Sequence, residues 1–65
     1  MDVSTKRHFD NWCKANRCNA ILRAEMTRIY NDDPVYFGGQ SWAVCWQHAS
    51  QSLRVKQAAK AGSQP

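Results

Sequence analysis

Cys13, Cys18, Cys45 and His48 are the side chains best suited to metal chemistry, and together they make a Cys₃His set of the kind that holds zinc. Cys45 and His48 stand three apart, so one helical face carries both. Cys13 and Cys18 are five apart, which on a continuous helix places them about 140° from one another around the axis. If the chain folds back near Val35, Cys45 lies level with Met26, about 12 Å along the axis from Cys18. Ligands about 2.3 Å from one ion cannot be gathered from there. No metal and no cofactor is therefore expected, and the cysteines are read as small buried hydrophobes.

Cys45 and His48 also have the spacing of a nucleophile and its base. General acid–base chemistry needs a water-excluding pocket, which a pair of helices does not enclose. The five acids, Asp2, Asp10, Glu25, Asp32 and Asp33, make no pair on one helical face. The residues point away from an enzyme.

Charge raises a second reading. The net charge is +4, and no acid follows Asp33. On a continuous first helix, Lys6, Arg7, Lys14, Arg17 and Arg28 share the solvent face with Asp10 and Glu25, a footprint that suits nucleic-acid phosphates. Asp10 and Lys14 are spaced as an i,i+4 ion pair. Against this, a helix-turn-helix needs a tight turn of about three or four residues, and Gly38-Gly39 lacks the Lys-Ser or Lys-Thr that follows a phosphate loop.

The elements that must position these groups are helical. With Ser4 as N-cap, residues 5–30 contain neither Gly nor Pro and read as one helix. Trp12, Ala15, Asn19, Leu22, Met26 and Ile29 recur at alternating spacings of three and four, the pattern of a helical seam. Phe9, Cys13, Ala20 and Ala24 form a second strip beside it. Asp33 before Pro34 ends the helix, and residues 31–40 form a linker in which Asp33 could instead cap one short turn. Ser41 is the N-cap of a second helix, residues 42–60, whose stripe is Trp42, Cys45, Trp46, Ala49 and Leu53. Residues 61–65 are expected to fray. The whole chain reads as one all-α domain, an antiparallel helical hairpin.

A chain of 65 residues buries only about 60% of its unfolded surface, and two rods hide one stripe each. The remaining apolar surface would be a larger patch than monomers tolerate. A homodimer closing a four-helix bundle is the expected remedy, with the seam residues, Trp46 and Leu53 in its core and Asn19 fixing register. The longest uncharged run, residues 34–53, includes Gly38, Gly39, Gln40, Gln47 and His48 and is no membrane span. An odd cysteine count and a start that does not resemble a secretory signal point to reduced thiols in the cytoplasm.

Trp, Tyr and Arg dominate binding hot spots. Tyr36 and Phe37, with Arg23, Tyr30 and Trp42, are the expected contacts to a larger protein. Small basic Trp-rich chains of this kind are by analogy often products of phages or other mobile elements. The expected activity is docking on a host or phage protein to inhibit or redirect it. The alternative is a small dimeric DNA-binding regulator that uses the basic face.

Overall fold

The computed structural model describes the backbone of residues 1–62 and the side chains of residues 1–59. It contains α1 (Val3–Ala15), α2 (Ala20–Asp32), α3 (Pro34–Gly38) and α4 (Trp42–Gly62), with no strand among the described residues. The protein is all-helical. No helix among those residues is long and apolar enough to cross a membrane.

The single helix expected over residues 5–30 is two. Asp2, rather than Ser4, caps α1, its Oδ1 accepting the Thr5 N–H at 2.7 Å. After Ala15 the chain turns through Arg17, whose φ of 55° lies in the left-handed region. The Arg17 N–H donates to the Lys14 carbonyl at 3.3 Å, and the Cys18 N–H reaches back to the Cys13 carbonyl at 3.0 Å. These two bonds satisfy the end of α1 in a Schellman arrangement. Asn16 Nδ2 donates to the Trp12 carbonyl at 2.8 Å. Asn19 then starts α2 from extended backbone, its Oδ1 accepting the Leu22 N–H at 2.8 Å. The physical reason for the break is local. Two asparagines offer the backbone bonds that compete with helix continuation, and Asn is among the strongest N-caps.

Asp33 caps α3, with its Oδ1 accepting the Tyr36 N–H at 3.3 Å and Pro34 in the first turn. α2 runs on through Asp32, so the expected linker 31–40 shortens to residues 33–41 and contains one short helix. α4 starts directly after Ser41, whose carbonyl accepts the Val44 N–H at 3.1 Å. It runs to Gly62, past the expected end near residue 60. Of the expected tail, residues 63–65 lie outside the described residues.

The corner at residues 16–19 lets α1 pack beside the other helices. α2 and α4 run in opposite senses: Tyr30 meets Trp42, the Cys45 thiol meets the Met26 carbonyl, and Glu25 meets Ser52 and Lys56. Phe9, Cys13, Met26, Phe37, Cys45 and Ala49 form the core. Burying a side chain such as Phe9, Met26 or Phe37 contributes roughly 1.5–3 kcal/mol.

Of the expected seam residues on α2, Met26 is fully buried and Leu22 and Ile29 pack against the core. On α1 the core face is the Phe9–Cys13 strip, while Trp12 is only partly buried and Ala15 is exposed. Asn19 is exposed and caps α2. On α4, Cys45 and Ala49 are buried, Leu53 is half-buried, and Trp46 remains 38% exposed.

Candidate functional site

Four of the five residues expected to touch a partner are occupied within the fold. The Arg23 guanidinium lies 6.0 Å from the Phe9 ring centroid. Phe9 tilts against Trp42 at 5.1 Å, and Trp42 against Tyr30 at 5.4 Å. This ladder joins α2, α1 and α4 and draws on favourable aromatic and cation–π geometry. Phe37 is buried, with His48 edge-on against it at 5.3 Å. Thr5, His8, Tyr30, Phe37, Gly38 and Trp42 line a small cleft of about 220 Å³ beside the ladder.

Tyr36 differs. It is 47% exposed and stands edge-on to Phe37 at 4.9 Å, so the buried ring braces the exposed one. Val35, beside it, is 89% exposed and was not singled out by sequence reasoning. The signal for it was the Asp33-Pro34 start, which fixes a short helix with Val35 on its outer side.

The expected five-residue basic face does not exist as one face, because the helix that would carry it is broken. Lys6, Arg7 and Lys14 fall within an arc of about 100° on α1, and Arg17 sits at the corner. None of the four has a salt-bridge partner among the described residues. Arg28 belongs to α2 and is committed to Glu25 at 2.7 Å and Asp32 at 3.0 Å. Asp10 pairs with Arg23 at 2.6 Å, across the α1–α2 corner, rather than with Lys14.

Glu25, expected on the solvent face, is the one buried charged residue among those described. Its carboxylate accepts Arg28 Nε at 2.7 Å, Ser52 Oγ at 2.7 Å and Lys56 Nζ at 2.8 Å. Those bonds, that from Arg28 first, hold its pKa down at about 2. Sequence reasoning missed it because two of its three partners are 27 and 31 residues away on α4.

The cysteines divide into two environments. Cys45 donates its thiol to the Met26 carbonyl at 3.3 Å, and burial pushes its pKa up to about 11. Cys13 is also buried, and burial followed by the neighbouring Cys18 raises it to about 11. Cys13 and Cys18 do not diverge as a continuous helix would require; at the corner the Cys18 N–H bonds the Cys13 carbonyl at 3.0 Å, and Cys18 packs against the core cluster that contains Cys13. No group of three or more His, Cys, Asp or Glu among the described residues could hold a metal ion.

Elsewhere, Ile21, Leu22 and Leu53 line a groove of about 470 Å³ between the start of α2 and the second half of α4, with Arg54 and Lys56 at its edge. Ile21 is 68% exposed there. Comparison of the chain with family models, curated proteins and solved structures returned no match.

Proposed function

We propose that this chain is a small non-enzymatic protein-binding module that docks on a larger protein and inhibits or redirects it. The observation that carries the reading is Tyr36. An amphipathic ring of a type enriched in hot spots stands outward next to Val35, held at a fixed angle by the buried Phe37. A side chain braced in this way loses little conformational freedom on binding. Self-association belongs to the same proposal. The exposed Trp46, Ile21 and Val55 support a second copy as one cover for apolar surface. Because each chain supplies three long helices, such a pair would exceed a four-helix bundle.

The test is capture from a lysate of the source cells on immobilised protein, comparing the native chain with Tyr36→Ala. A protein retained by the first and lost by the second is the expected result. Retention of the same protein by both, or of none by either, overturns the reading. Light scattering of the native chain at micromolar concentration checks the dimer, and a monomer mass removes it.

The second reading, a nucleic-acid regulator, is favoured by Lys6, Arg7, Lys14 and Arg17 of α1 and its corner, which have no salt-bridge partner among the described residues. It requires duplex affinity that falls steeply with salt and is lost in Arg17→Glu.

A further inference from the structure

Among the described residues, Cys13 and Cys18 are a pair of nucleophilic side chains that the fold brings together without giving them a task. We infer that they form a dithiol redox site, which closes to an intramolecular disulfide by exchange with a low-molecular-weight disulfide. The inference is independent of the docking surface proposed above.

Backbone geometry comes first. The Cys18 N–H donates to the Cys13 carbonyl at 3.0 Å. With standard bond lengths on either side of that bond, the two Cα atoms cannot be more than about 7 Å apart. Disulfides span Cα separations of about 4.4–6.8 Å, so no helix has to move far for closure. The turn also sets both side chains on the same side of the corner: Cys13 and Cys18 hold the two positions of the Schellman motif whose side chains commonly touch, and Cys18 packs against the buried cluster that contains Cys13. On an unbroken helix they would point about 140° apart. The left-handed Arg17 is what reverses this.

Exposure divides the labour. Cys13 is 1% exposed and Cys18 is half-buried, so an incoming disulfide meets Cys18 first. The Cys18 thiolate attacks one sulfur of the small disulfide and expels the other as a thiolate, which takes up the proton that Cys18 lost. Cys13 then gives its proton to solvent, and its thiolate attacks the Cys18 sulfur of the mixed disulfide. The S–S bond between the two protein residues forms, and the second small thiolate leaves and is protonated. Two protein thiols are oxidised and one disulfide is reduced to two thiols. Burial first, and the neighbouring Cys18 second, hold Cys13 in its protonated form, so Cys18 is the thiol that attacks first. Cys45 is the competing thiol, but its hydrogen bond to Met26 holds it between α2 and α4.

The experiment uses the reduced full chain with oxidised glutathione as the oxidant, quenched with acid and read by mass spectrometry. The expected product lacks two hydrogens and carries no glutathione. Trypsin cuts after Lys14 and Arg17, between the two cysteines, so the bond appears as residues 8–14 linked to residues 18–23. The same reaction in urea should be several-fold slower, because the corner no longer presents the pair. A stable glutathione adduct on Cys18, a link to Cys45, no oxidation, or closure as fast in urea as in the folded chain would each overturn the inference.

Discussion

The Glu25 carboxylate of α2 and the Lys56 ammonium of α4 meet at 2.8 Å, with Ser52 donating to the same oxygen at 2.7 Å. The carboxylate is 5% exposed, whereas Lys56 and Arg28 are 59% and 50% exposed. The acid is thus covered while its partners stay open to water. This asymmetry decides the energetics. The cations can return to solvent if Glu25 is lost, so the cost falls below the penalty for a stranded buried charge.

A pH dependence follows with a defined sign. The folded pKa of about 2 lies below the ordinary 4.5. The stabilisation is therefore complete above about pH 4.5 and is lost as the pH falls from there towards 2. Glu25→Gln should be less stable than the native chain at pH 6 by about 1–2 kcal/mol. Thermal unfolding followed by circular dichroism across pH 6 to 2 should show this difference shrinking through that window. Curves that stay parallel would mean that Glu25 is not the titrating group.

Arg17 offers a prediction of the opposite sign. A non-glycine residue in the left-handed region costs about 1–2 kcal/mol, and Arg17 adopts a φ of 55° to complete the bonds that end α1. Glycine reaches that conformation without the penalty but is more flexible when unfolded, which offsets part of the gain. Arg17→Gly should raise stability by about 0.5–1 kcal/mol, measured as a higher urea midpoint with an unchanged slope. Arg17→Val should lower it. A destabilised glycine variant would show that the Arg17 side chain contributes more than its backbone costs.

The all-helical class, the α2 and α4 apolar stripes and the Asp33-Pro34 stop were legible because periodicity and proline chemistry are local. The corner was not. Asn19 falls in register with Leu22 and Met26, so spacing alone assigns it to the seam. Only the competition between side-chain capping and helix continuation turns it into a start signal. From that one misreading follow the divergent cysteines and the undivided basic face; the Asp10–Lys14 spacing survives on α1, but the corner brings Arg23 to Asp10 instead. Of the candidate site, Tyr36 was readable from type and place. The ladder through Arg23, Phe9, Trp42 and Tyr30 was not, since it needs α1 to pack against both other long helices.

Asn19→Leu separates the two descriptions of that residue. As a seam position it would gain stability from an added apolar side chain. As the cap whose Oδ1 accepts the Leu22 N–H at 2.8 Å, it should lose about 0.5–2 kcal/mol. Asn19→Ser keeps a capping oxygen and should stay close to the native chain. Chemical denaturation of the three proteins reads this directly, and a leucine variant as stable as the native chain would restore the continuous-helix description.

Tyr36 and Phe37 are adjacent in sequence and in contact, yet their truncations should part company. Phe37 is 8% exposed, braces Tyr36 on one side and meets His48 on the other. Phe37→Ala should cost about 3–5 kcal/mol, as much as a chain of this size usually has in total. It should therefore unfold, and any loss of binding in that variant would carry no information about the surface. Phe37→Leu keeps most of the volume and should remain folded with a lowered midpoint. Tyr36, 47% exposed, gives up little burial on truncation, and Tyr36→Ala should stay within about 0.5–1 kcal/mol of the native chain, as surface changes usually do. Helical circular dichroism and thermal midpoints of the three variants test the contrast. A Phe37→Ala protein as stable as the native one would place that ring outside the core, and the brace that orients Tyr36 would go with it.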